Sequence, residues 1–205
     1  MKLAIFGASG ATGRQLVEQA LAMGHEVTAV VRSAANLPLS HPGLLVLEAA
    51  LQDAAAMRRA VENQDVVISV LGTRRGGPST ICADGAKSIL AAMQAAGTRR
   101  LVALSAYGAS ETRRASLFIR FVRSVIADKM RDKDQMERLV RHSGIDWTLV
   151  RPPALTRGKR TGVYRFGPDL RIGALSRISR SDVADFILRH AISDEQAGKT
   201  LAITY

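Results

Sequence analysis

Cysteine is almost missing from this 205-residue chain. Cys82 alone can close no internal disulfide and supports no cysteine metal cluster, so no metal site is expected. Aromatic residues are also few: five phenylalanines, three tyrosines and one tryptophan. So small a set of stacking platforms argues against a single-stranded nucleic-acid binder. No apolar run reaches the length of a membrane span. The N-terminus is apolar only to Phe6 before glycines intervene, so no signal peptide is read and the cytoplasm is the expected location. No internal repeat, low-complexity stretch or linker appears, and the expectation is one domain over residues 1–205.

Basic residues are few in the first half of the chain and in excess in the second. The net charge is +11, yet the first 98 residues carry 8 basic and 7 acidic side chains against 21 and 11 in the rest. A basic second half suits an anionic substrate, a nucleic acid or a membrane surface, or is a solvated face.

What the chain does have is a glycine loop, Gly7-Ala8-Ser9-Gly10-Ala11-Thr12-Gly13. Before it, Lys2 to Phe6 reads as a short buried strand. After it, Leu16, Val17, Ala20 and Leu21 fall on one helical face. Strand, glycine turn and helix form the setting of a dinucleotide fingerprint. Glycines let the backbone approach a pyrophosphate, and the helix N-terminus offers free N–H groups and a positive dipole end. The spacing is G-x-x-G-x-x-G rather than G-x-G-x-x-G.

A second strand, Val27 to Val31, ends at Arg32-Ser33, with Arg32 19 residues beyond Gly13. NAD enzymes keep an acidic side chain near this point, whereas an arginine suits a 2′-phosphate. Further strands are read at 44–47, 66–70, 101–104, 145–150 and 201–204. Helices are read at 53–62, 80–96, 129–142 and 183–191, the last opened by a capping box at Ser179-Arg180-Ser181-Asp182. The strands alternate with helices and lack polar alternation. That pattern predicts an α/β Rossmann fold, a doubly wound parallel sheet.

Ser105 stands just past the fifth strand, where such a sheet places its chemistry, although a serine there can also cap a loop. Residues 113–126 carry an apolar helical stripe of Leu117, Phe118, Phe121, Val122 and Val125 with arginines interleaved. A core-packed helix with solvated arginines, a lid, a dimer contact and an interfacial helix all fit. Residues 154–180 are basic and turn-rich.

Taken with Leu71-Gly72-Thr73-Arg74, Asp84 to Met93, Leu104-Ser105-Ala106, Ser143-Gly144-Ile145, Pro152-Pro153, Thr161 to Tyr164 and Ser176 to Ser179, the glycine loop carries a resemblance. The chain resembles the biliverdin reductase B/NADPH-dependent flavin reductase family. That family belongs to the atypical, NmrA-like short-chain dehydrogenase/reductases. The likeness spans nearly the whole chain apart from about residues 107–130. It implies an NADPH-dependent oxidoreductase that passes hydride to a planar acceptor: a flavin, biliverdin or a quinone. The acceptor is expected to be anionic, the protein a monomer or small homo-oligomer, with no nucleic acid and no membrane span. Segments 107–130 and 154–180 would be substrate-side insertions.

Carried over by position, Gly7, Ser9, Gly10, Ala11, Thr12 and Gly13 would hold the pyrophosphate. Arg32, with Ser33, would take the 2′-phosphate. Leu71, Gly72 and Thr73 would line the ribose, and Pro152, Pro153 and Ala154 would flank the nicotinamide. Ser105 matches the family's active-site serine. Lys133 aligns with a lysine of atypical members and would either hold the nicotinamide ribose or sit on the surface. The sequence departs from the family at Asn36, where a second phosphate-binding arginine belongs. It also departs at Ala50, in place of an acid, and at Ala154, in place of a histidine. The Y-x-x-x-K pair is absent, since Lys129 stands four residues before Lys133. The lost tyrosine disfavours an epimerase, which needs a general base. A good nucleotide site with a thin catalytic set also fits a non-enzymatic NADP(H)-sensing regulatory protein.

Overall fold

Apolar strands without polar alternation need cover on both faces, and the fold supplies it. The computed structural model describes residues 1–73, 80–191 and 193–205. Arg74, which closes the Leu71–Arg74 motif, lies outside the described residues.

The elements in order are β1 (Lys2–Phe6), α1 (Ala11–Ala22), β2 (Glu26–Val31), β3 (Leu44–Glu48), α2 (Ala54–Val61), β4 (Val66–Ser69), α3 (Ile81–Ala96) and β5 (Arg100–Leu104). There follow α4 (Leu117–Val125), α5 (Ala127–Arg141), β6 (Asp146–Arg151), β7 (Ala154–Thr156), β8 (Arg165–Gly167), β9 (Arg177–Ser179), α6 (Arg180–Ala191) and β10 (Lys199–Thr204). The described residues form an eight-stranded sheet in the order β3-β2-β1-β4-β5-β6-β10-β8. All its pairings are parallel except β8 on β10 at the edge. The order reverses between β1 and β4, which makes their carboxyl ends the crevice of a doubly wound sheet.

Helices α1 and α6 cover one face, where Leu16, Val17 and Phe186 pack on Leu3, Ile5 and Val102. Helices α2, α3 and α5 cover the other, where Met57, Ile89, Met93 and Met136 pack on Ala4, Val67 and Leu101. Two polar devices place the ends of these helices. Gly97 closes α3 in the left-handed region at φ 75°, as a C-terminal glycine should. At the other end of α3, Asp132 reaches across from α5. Its carboxylate accepts from the N–H groups of Cys82 at 3.0 Å and Ala83 at 2.8 Å. A cap carried on another helix is invisible to a local capping pattern.

Two segments depart from their sequence reading. The stretch 154–180 holds three-residue strands, and β7 pairs with β9 in a separate parallel two-stranded sheet. Three residues are too few to show a period. An aspartate organises this region: Asp182 accepts from Thr161 N (2.7 Å), Gly162 N (2.8 Å), Ser179 Oγ (2.9 Å) and Tyr205 OH (2.6 Å). Burial would raise its carboxyl, but these donors hold it below the ordinary aspartate value. One half of the Ser179–Asp182 capping box is present, Asp182 N donating to Ser179 Oγ at 2.9 Å, while Ser179 N donates to Tyr205 OH at 3.2 Å.

In 113–126 the reading that is overturned is the core-packed helix with solvated arginines. A 3₁₀ turn, Ser110–Arg114, comes first, and Ser116 Oγ then caps α4 by accepting from Ile119 N at 3.1 Å. Its apolar stripe turns outward: Leu117 is 78% exposed, Phe121 66%, Val125 68% and Phe118 42%, while Ile119 is 7% exposed. Arg123 turns inward, donating to Gly108 O at 2.6 Å and to Asp134 Oδ2 at 2.7 Å.

Candidate functional site

The carboxyl ends of β1, β2, β4 and β5 open into one cleft of about 1020 Å³. The glycine loop forms one wall. Gly7 sits at φ +80°, where only glycine is at ease, and a Cβ on it would lie 3.0 Å from the Val70 backbone. The loop therefore presses against the β4 exit. Gly10 N donates to Gly7 O at 2.9 Å and closes the turn. A Cβ on Gly13 would lie 2.1 Å from Gly7 O, so this glycine serves close packing of α1 on the loop. No side chain caps α1 and its first turn holds no acid. Ser9, Gly10, Ala11 and Thr12 line the cleft at this helix end, and Gly13 lies behind them. A dipole end, a loop without obstructing side chains and an absent acidic cap fit a pyrophosphate.

Arg32 also lines the cleft, exposed at the end of β2, with no carboxylate partner among the described residues. Ser33 stands outside the lining. Arg14 joins the loop to the turn after Arg32 by donating to Ser9 O at 3.2 Å and Asn36 O at 2.6 Å. Ala49, Ala50, Leu51 and Gln52 continue the wall beyond β3, and Ala50 leaves it apolar where an acid was expected.

The far end of the cleft is built from three elements. Leu71, Gly72 and Thr73 line it after β4, Ser105 after β5, and Lys133 reaches in from α5. Lys133 Nζ donates to Leu104 O at 2.6 Å and Leu71 O at 3.1 Å. It thus pins two strand ends together and stands half-buried in the cleft wall. Cys82 beneath it donates to Leu71 O at 3.3 Å, and burial pushes its thiol up. With adjacent strands about 4.8 Å apart, the end of β2 that Arg32 follows stands some 10–15 Å from this end.

Ser105 is buried, and its hydroxyl donates to Glu137 Oε1 at 2.6 Å. Glu137 is wholly buried on α5 and receives Arg151 Nε at 2.8 Å together with a second contact from the same guanidinium. Arg151 also donates to Glu111 at 2.6 Å, and Arg141 contacts Glu111 and Glu137. Hydrogen bonds from Arg141 and Arg151 outweigh burial and hold the Glu111 carboxyl down to about 2. Since the Ser105 proton is given to Glu137, its oxygen can meet a ligand only with lone pairs. The Glu-Arg network was not foreseen from sequence. The signal available was Glu137 four residues before Arg141 on one helix face.

Pro152, Pro153 and Ala154 stand at the β6 exit but outside the lining; Pro152 O accepts from Tyr107 N at 2.9 Å instead. Leu155 and Arg180 line the cleft and were missed by sequence reasoning. Arg180 enters because it opens α6, donating to Thr156 O at 2.9 Å, a position fixed by the β7–β9 pair.

Known proteins share this fold. A family model described as NAD(P)H-binding matches residues 7–194. The chain is 30% identical over 178 residues to a (4-alkanoyl-5-oxo-2,5-dihydrofuran-3-yl)methyl phosphate reductase of Streptomyces griseus, covering 87% of this chain and 55% of that one. ChuY, an anaerobillin reductase from Escherichia coli O157:H7, superposes with a TM-score of 0.86 at 21% identity, covering 99% and 96% of the two chains. A short-chain dehydrogenase/reductase from Veillonella parvula in complex with NADP superposes at 0.82 and 20% identity, covering 100% and 94%. At these identities the two structures share the fold. Among the described residues no helix is long and apolar enough to cross a membrane.

Proposed function

The chain belongs to the NAD(P)H-binding family, and from that premise we propose that it is an NADPH-dependent reductase of a planar, anionic acceptor such as a flavin, biliverdin or a quinone. The observation that carries this reading is the pairing of an uncapped glycine loop at one end of the cleft with the Lys133 ammonium at the other. Support comes from the reductase among the relatives, from the anaerobillin reductase of like fold, and from the NADP complex.

In this reading Gly7, Ser9, Gly10, Ala11 and Thr12 receive the pyrophosphate on backbone N–H groups, and Gly13 lets α1 pack close enough to present them. Arg32, with Ser33, clamps the 2′-phosphate and sets NADPH above NADH. Leu71, Gly72 and Thr73 flank the ribose. Pro152, Pro153 and Ala154 shape the β6 side of the nicotinamide end. The bound cofactor supplies the hydride; the protein supplies orientation and charge. Lys133 offsets negative charge that grows on the acceptor. Ser105 Oγ, its proton held by Glu137 Oε1, accepts from a ligand N–H and fixes its orientation. Arg180 and the basic segment 154–180, which reaches the cleft through Leu155 and Arg180 in a single 1–205 domain, attract an acceptor bearing phosphate or propionate. The NADPH pool it draws on is that of the cytoplasm.

One observation favours a second reading. The Ser105 hydroxyl is engaged inward and no tyrosine accompanies Lys133, which leaves few groups for chemistry. A non-enzymatic NADP(H)-sensing regulator would need no more. Purified protein mixed with NADPH and a panel of FMN, FAD, biliverdin and a soluble quinone separates the two. Loss of nicotinamide absorbance with at least one acceptor supports the reductase. Tight NADPH binding with no turnover across the panel supports the sensor.

A further inference from the structure

Helix α4 has a face that nothing in the fold covers. At about 100° per residue, Leu117, Phe121, Val125 and Phe118 share an arc of about 100°, roughly opposite the Ile119–Arg123 edge that faces the body. Four large apolar side chains in a nine-residue helix point at solvent. Isolated exposed apolar residues need no explanation, but a contiguous helical face does.

Its surroundings are cationic. Arg120 lies on the flank of α4. Arg113 and Arg114, exposed in the 3₁₀ turn that packs against α4, line a recess of about 540 Å³ with Arg138, Arg141 and two carboxylates already paired with arginines, Glu111 with Arg141 and Asp134 with Arg123. Of Arg113, Arg114, Arg120, Arg138 and Arg141, only Arg141 pairs with a carboxylate among the described residues. A second copy of the chain docked face to face would bring like guanidiniums together and repel. An apolar helical face flanked by arginines instead matches a surface with acyl chains below and anionic phosphates above.

We propose that α4 seats the protein on an anionic lipid bilayer, with Leu117, Phe118, Phe121 and Val125 entering the interface. Arg113, Arg114 and Arg120 contact lipid phosphates. The helix lies in the plane of the surface and does not span it. Membrane seating does not depend on what the cleft reduces.

The test is co-sedimentation of the full chain with two vesicle preparations, phosphatidylcholine alone and phosphatidylcholine with an equal part of phosphatidylglycerol. Binding to the mixed vesicles alone is expected, and salt should weaken it. Leu117→Ser with Phe121→Ser should lower the partition coefficient at least about tenfold. Arg113→Glu with Arg114→Glu should lower it by about as much or more. Both variants should keep NADPH affinity, because none of these residues lines the cleft. The proposal is overturned if wild type stays in the supernatant with mixed vesicles, or binds both preparations equally. It is overturned too if variants that keep NADPH affinity still sediment like wild type. A concentration-dependent dimer lost in Phe121→Ser, without vesicle binding, would assign the face to a second copy instead.

Discussion

Helices α1 and α4 carry apolar stripes of similar make-up and turn them in opposite directions. In α1, Leu16, Val17, Ala20 and Leu21 are buried against the sheet. In α4, Leu117, Phe121 and Val125 stand in solvent while Arg123 is drawn inward to Gly108 and Asp134. The difference lies in what each helix is attached to. Helix α1 follows β1 through a tight glycine turn and must lie on the sheet face. Helix α4 follows a 3₁₀ turn, and the adjoining sheet face is already covered by α2, α3 and α5. An inward arginine then gains more from a carboxylate and a carbonyl than a leucine gains from a filled surface.

The largest test of this contrast is a pair of truncations. Leu16→Ala should cost about 2–5 kcal/mol of stability, as expected for a filled core position. Phe121→Ala should stay within about 0.5 kcal/mol, as for an exposed side chain. Chemical denaturation of both variants measures the difference, and similar losses would mean that α4 packs in solution as α1 does.

Next come the two ends of the cleft. Ser105→Ala, at the end assembled from distant elements, should slow turnover by up to about a hundredfold through lost orientation of the bound ligand. NADPH affinity should hardly move, because the glycine loop proposed to hold the pyrophosphate is separate. Unchanged turnover would reduce Ser105 to a prop for Glu137. At the sequence-local end, NADPH should bind more tightly than NADH, and Arg32→Asp should cost NADPH about 1.5–3 kcal/mol. Binding titrations of both cofactors to both proteins decide this. Equal affinities in the wild type would sink it.

The smallest expected effect is a pH dependence in the ion network. Glu111 titrates at about 2 in the fold against an ordinary 4.5, chiefly through the hydrogen bond from Arg141. A depressed carboxyl stabilises the fold above its unfolded value and loses that contribution as pH falls through its folded value. Stability should therefore decline between about pH 4.5 and 2 more steeply in the wild type than in Glu111→Gln. Parallel denaturation curves in the two proteins across that window would show that the pair contributes nothing measurable.

Much of the glycine-loop end of the cleft was legible because its parts are neighbours in the chain. Gly7, Gly10 and Gly13 announce themselves by spacing, and Arg32 by its distance from them. The other end was legible residue by residue and not as an assembly. Ser105 and Lys133 could be named, but their partners Glu137, Leu71 and Leu104 lie 29 to 62 positions away from them. Arg180 enters the cleft only because two three-residue strands pair, and strands so short leave no period to read.

The sequence by itself determined the strand–helix alternation, the glycine turn and the parallel sheet, because each follows from local geometry and from which residues avoid water. Tertiary structure alone decided which way α4 turns its stripe, that the Ser105 proton goes to Glu137, and that Asp132 caps a helix not its own. Those outcomes depend on which surfaces are already occupied and on which buried charges need partners. Both are properties of the assembled chain rather than of any stretch of it.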